Sequence, residues 1–92
     1  MKTISTTFAQ MTAAVPPEIR QEIDLEFAVS NRIEELMKKY GFTKLQLAQK
    51  LGKRPSEITK WLSGQHNFTL RTIAQLSAFF GEPLVWMNKN QK

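Results

Sequence analysis

Apolar and polar positions along this chain follow a helical period almost throughout, and prolines and glycines cut the pattern into pieces. Between Pro17 and Tyr40 there is no internal proline or glycine. Ile19, Ile23 and Phe27 recur at four-residue steps, and Val29, Ile33, Leu36 or Met37 and then Tyr40 carry the stripe on. Pro16-Pro17 followed by Glu18 suits a helix start, with proline where no N–H is needed and acid in the first turn. The stretch reads as one helix of about six turns, or as two broken near Ser30-Asn31 with Ser30 capping the second. Gly41 closes it. Thr43 then caps a short helix in which Leu45, Ala48 and Leu51, with Leu47, form an apolar face that ends at Gly52. Pro55 opens the next helix, 55–62, with Ile58, Trp61 and Leu62 as its stripe and Gly64 as its stop. Thr69 caps a further helix, in which Leu70, Ile73, Ala74, Leu76, Ser77 and Phe80 share one broad face up to Gly81. Pro83 to Met87 fits a short fifth helix. The fold class is therefore all-α. Residues 1–16 show no sustained period and read as a flexible arm, and 88–92 as a polar tail.

Two of these helices, within 43–64, are too short to stand alone, because isolated helices below roughly 12–15 residues are marginal in water. They must pack at a steep angle on the rest of the chain. That is a helix-turn-helix unit, whose second helix lies in the DNA major groove. The outward positions on and beside that helix are Arg54, Ser56, Glu57, Thr59 and Lys60. These side chains read base edges and phosphates by hydrogen bonding. Trp61 falls on the stripe of Ile58 and belongs to the core.

Residues Val29 to about Trp86 resemble the Xre/Cro, lambda-repressor-like helix-turn-helix domains. The resemblance rests on Arg32-Ile33 and Leu36, Gly41-Phe42-Thr43, Leu47-Ala48, Leu51-Gly52, Ile58, Trp61, Gly64, Thr69-Leu70, and Ile73 through Leu76 to Gly81. No one of these is specific; the ordered set is. It implies a five-helix domain over 29–87, preceded by a helical extension, 17–28. Ser63, Gln65 and Asn67 match loop positions that touch the DNA backbone in related repressors, and Thr43, Lys44, Lys53 and Arg71 are expected as further backbone contacts from their own positions. Leu84, Val85 and Trp86 match the region that often forms the dimer contact. Two positions depart from the pattern. Lys44 stands where the family often has Gln, and Pro55 stands where many members carry a polar, base-reading side chain.

Charge supports a nucleic-acid partner. The net charge of +5 is unevenly placed. Residues 1–35 hold three basic and six acidic residues, net −3, and residues 36–92 hold ten basic and two acidic, net +8. A positive field over the helix-turn-helix half suits phosphate binding. The same length and composition exclude other classes. Ninety-two residues make one small domain with one modest core. There is no cysteine, hence no disulfide and no thiolate metal site, which suits a reducing cytoplasm. No apolar run is long enough to span a membrane. Ser5, Thr6, Thr7, Gln10 and Thr12 interrupt the start too often for a secretion signal. His66 is the single histidine and has no carboxylate partner in the pattern, so neither catalysis nor a cofactor or metal site is expected.

The extension 17–28 is acidic and amphipathic, and its apolar residues Leu25 and Phe27 need cover. They can pack on the domain itself, on a second copy, or in a partner's groove. A small basic helix-turn-helix protein with an acidic extension resembles the antitoxins of toxin–antitoxin pairs, notably the HigA type. Two functions follow as expectations. One is a cytoplasmic, homodimeric, sequence-specific transcriptional regulator, a repressor, reading DNA with helix 55–62. The other is an antitoxin that also neutralises a ribonuclease toxin through its N-terminal region.

Overall fold

In the computed structural model, which describes residues 15–85, four α-helices follow one another, with no strand among the described residues. They are α1 (Pro17–Tyr40), α2 (Lys44–Leu51), α3 (Pro55–Trp61) and α4 (Leu70–Phe80). The expected arm falls mostly on residues 1–14, outside the described residues.

Residues 17–40 form a single 24-residue helix. Pro17 supplies its start and Glu18 the acid of its first turn. At its end Gly41 adopts φ 74°, and the Phe42 N–H reaches the Met37 carbonyl at 2.8 Å. This left-handed closure satisfies carbonyls that the helix leaves unpaired. Ser30 is no cap. It is buried in mid-helix, and its hydroxyl is used by a distant segment.

The shorter helices are closed by their own side chains. Thr43 Oγ1 accepts the Gln46 N–H at 3.1 Å, and Gln46 Oε1 accepts the Thr43 N–H at 2.9 Å, a reciprocal box at the head of α2. Glu57 Oε1 accepts the Arg54 N–H at 3.1 Å at the head of α3. Thr69 Oγ1 accepts the Thr72 N–H at 3.1 Å at the head of α4.

The core gathers on the C-terminal half of α1. Val29, Ile33, Leu36 and Met37 meet Leu47 and Ala48 of α2, Ile58 and Trp61 of α3, Leu76 and Phe80 of α4, and Leu84 beyond it. Phe42, Phe79 and Phe80 add ring contacts at centroid distances of 5.1–6.1 Å. Three apolar residues of the shorter helices depart from the expected face, the exposed Ala74 among them. Leu45 is 55% exposed and Leu70 is 84% exposed. Leu70 opens α4 and is rotated well away from Leu76 and Phe80, at roughly 100° per residue.

No fifth helix occurs among the described residues. Pro83–Val85 is not helical, and Trp86 and Met87 lie outside the described residues. The backbone here is held by side chains rather than by a helical ladder. The Leu84 N–H donates to Ser77 Oγ at 3.1 Å, and Arg32 Nε donates to the Pro83 carbonyl at 3.1 Å. Glu82 completes this anchor by accepting from Arg32, Lys39 and the Tyr40 hydroxyl.

Candidate nucleic-acid interface

The site is built from α3 outward. Ile58 and Trp61 face the core and are buried, so helical geometry turns Ser56, Thr59 and Lys60 to the opposite side, where all three are exposed. Ser56 and Lys60 are four residues apart and stand one above the other on that face. Pro55 opens α3 and supplies no donor. Arg54 precedes it and is exposed.

Two of the expected base readers are turned inward on their own helix. The Glu57 carboxylate takes the Arg54 N–H and is half-buried, so it caps α3 and forms no ion pair with Lys60. The Thr59 hydroxyl donates back to the Pro55 carbonyl at 3.2 Å, although the residue as a whole is exposed. Arg54, Ser56 and Lys60 carry the free polar reach of this surface.

The expected backbone contacts divide in the same way. Lys44 heads α2, Arg71 lies in the first turn of α4, and both are exposed; Lys53, in the turn, is half-buried. Thr43 is exposed but its hydroxyl is committed to the cap of α2. Ser63 Oγ donates to the Lys60 carbonyl at 2.7 Å and accepts the Gln65 N–H at 3.1 Å, which fixes the bend after α3 and leaves the Gln65 side chain outward. Asn67 Nδ2 donates to Glu22 Oε2 at 3.1 Å, so it is tied to α1. His66 stands edge-on to Phe68, with ring centroids 4.7 Å apart.

The cations are sorted by face. Among the described residues, the ion pairs engage Arg32, Lys38 and Lys39. None engages Lys44, Lys50, Lys53, Arg54, Lys60 or Arg71. A cation without an internal partner is available to a phosphate, and here all six lie on α2, α3, the turn or the head of α4.

Three residues on α1 position this surface in roles that the sequence pattern did not assign to them. Ser30 donates its hydroxyl to the Trp61 carbonyl and accepts the Gly64 N–H at 3.1 Å. It thereby fastens the C-terminal end of α3 to the middle of α1. The Phe27 ring lies against Gly64, where an added Cβ would come within 2.6 Å of Cε1. Gly64 also has φ +83°, so this position needs glycine twice over. Glu22 holds Asn67 one turn further along. The one local signal was Ser30 itself, a polar residue inside the Val29–Ile33–Met37 stripe.

Of the expected dimer residues, Leu84 is spent in the chain's own core at 6% exposure and offers no surface to a second copy. Val85 is half-buried, packed on that core, and Trp86 lies outside the described residues. No group of three or more metal-ligating side chains occurs among the described residues, and no helix there is long and apolar enough to cross a membrane.

Comparison with protein families matches the chain over residues 33–87 to the family described as Helix-turn-helix (HTH_3). Comparison with curated proteins and with solved structures finds no match.

Proposed function

We propose, from the premise that this chain belongs to the helix-turn-helix family matched over residues 33–87, that it is a sequence-specific repressor of transcription acting on DNA in the cytoplasm. DNA binding in the service of transcription regulation is the general activity of that family, which is generally non-enzymatic. The observation that carries the finer reading is the coincidence of two features on one surface. The outward side of α3 presents Ser56 and Lys60, and the cations around it have no internal partners.

In this reading α3 enters the major groove and Lys60 reaches guanine O6 and N7. Ser56 bonds a neighbouring base edge and the Thr59 methyl group packs on a thymine methyl. Arg54 flanks them. Lys44, Lys53, Gln65 and Arg71 hold the phosphates and set the register. Glu57 contributes by holding the start of α3 rather than by touching a base. Two copies on one operator place their α3 helices about 34–36 Å apart, on successive faces of the groove. Val85 remains the candidate for the contact between copies.

The test is an anisotropy or gel-shift titration on the DNA upstream of the chain's own gene, with scrambled competitor. Tight binding that survives competitor is expected. Lys60→Ala should cost roughly 1–3 kcal/mol on the specific site and almost nothing on scrambled DNA. An equal loss on both would make Lys60 a phosphate contact only.

A second reading is favoured by one observation. Ile19, Ile23, Leu25 and Phe27 on the acidic half of α1 are each 41–53% exposed. This is the surface an antitoxin would offer to a basic ribonuclease toxin, while still repressing its operon. Co-purification with the product of an adjacent small, basic reading frame, lost when residues 1–28 are deleted, would favour it.

A further inference from the structure

A cavity of about 680 Å³ runs between the N-terminal half of α1 and the head of α4. Clefts of this size hold a drug-sized molecule, hence several side chains at once. Its apolar lining includes Leu25, Val29, Phe68, Leu70, Ile73 and Val85. Along α1 it is also lined by Glu18, Glu22 and Glu26, and no lysine or arginine lines it. The lining is far from covered: Leu25 is 53% exposed and Leu70 is 84% exposed.

We propose that this groove is the seat of the chain's own segment Trp86–Lys92, with Trp86 and Met87 on the apolar lining and Lys89 and Lys92 along the glutamates. Continuity is the first argument. Val85 already lines the groove, so the next residue starts at its edge. Complementarity is the second. The segment offers two large apolar side chains, then two cations and no anion, to an apolar wall with an acidic border. Reach is the third. From Pro17 to Val29 the groove follows α1 for about 18 Å, at 1.5 Å per residue. Seven extended residues cover about 23–25 Å. An indole on Leu25 and Leu70 is an anchor of the kind that dominates such contacts.

Seated there, the segment ties the extension to α4. Since the same half of α1 also holds the Gly64–Asn67 bend, the seat would brace the DNA-reading unit from behind. Any partner that takes this groove has first to displace the segment.

The experiment is NMR on the full 92-residue chain. Cross-relaxation from the Trp86 indole to Leu25 and Leu70 methyl groups is expected, along with slowed exchange of the indole N–H. In Leu70→Glu those signals should vanish while the Trp61 core signals stay in place, which separates loss of the seat from loss of the fold. A Trp86 indole at its random-coil shift in the unmodified chain would overturn the proposal. So would contacts that appear only between differently labelled copies, because the seat would then be filled by a second chain.

Discussion

Ser30 carries more of this molecule than its place in the sequence suggests. A serine in mid-helix commonly bonds back to its own helix. Here the hydroxyl instead bridges the Trp61 carbonyl and the Gly64 N–H, 31 and 34 residues away. Both partners are backbone groups at the exit of α3, and removing the bridge strands them in a buried place. An unsatisfied buried group costs about 1–3 kcal/mol. Ser30→Ala should therefore lower the unfolding free energy by about that amount, read from urea titration, and should loosen the α3 exit so that affinity for specific DNA falls as well. A stability change below about 0.5 kcal/mol, the scale of neutral surface substitutions, would mean that water replaces the hydroxyl. Phe27 against Gly64 belongs to the same joint. Beyond a polar residue set inside an apolar stripe, none of this was legible in the sequence, because a contact across more than 30 residues leaves no local period. Gly64 announced a helix stop, and the ring lying on it was a fact of tertiary packing.

At the level of elements, the helix boundaries were mostly written in the caps. Thr43, Gly52, Pro55, Thr69 and Gly81 act locally, each on a few backbone groups, and local chemistry is what a sequence displays. The described stretch after Gly81, residues 82–85, is not helical for the opposite reason. Its apolar residues looked helical, yet Glu82, Pro83 and Leu84 are fixed by Arg32, Lys39, Tyr40 and Ser77. Leu70 and Leu45 show the same limit, since a period assigns a face but not what covers it. The Glu82 anchor has a consequence in acid. Hydrogen bonds from Lys39 and then Tyr40, with the charges of Lys39 and Arg32, lower the Glu82 pKa from its ordinary 4.5 to about 2. Between those values the unfolded chain binds a proton that the folded chain refuses, so stability rises with pH there. The contribution is complete above about pH 4.5 and is lost as pH falls toward 2. Urea midpoints measured from pH 5.5 to 2.5 should fall more steeply for the unmodified chain than for Glu82→Gln. Parallel curves would show that the cluster is too solvated to matter.

Over the whole molecule, charge is divided between two faces with different uses. The N-terminal half of α1 is acidic, and its glutamates border a groove or hold Asn67. The cations of the α4-following anchor are neutralised by Glu82 and Glu35. What remains unpaired is the set on α2, α3, the turn and the head of α4, so the positive field has one outlet. The charge split was legible in the sequence, but which cations are internally paired was not, because that depends on Glu82 reaching back to α1. If the outlet is a phosphate surface, binding must weaken with salt by counterion release, with a log–log slope of about −0.9 per phosphate neutralised. Lys44 is the sharpest probe, being exposed, unpaired and at the head of α2, where the helix dipole adds to its charge. Lys44→Ala should weaken specific and scrambled DNA alike and reduce the slope by about one for each copy bound. Lys39→Ala, on the anchored face, should leave the slope unchanged while costing stability. Should the two variants alter the slope equally, the field would be diffuse and α2 would lose its place at the DNA backbone.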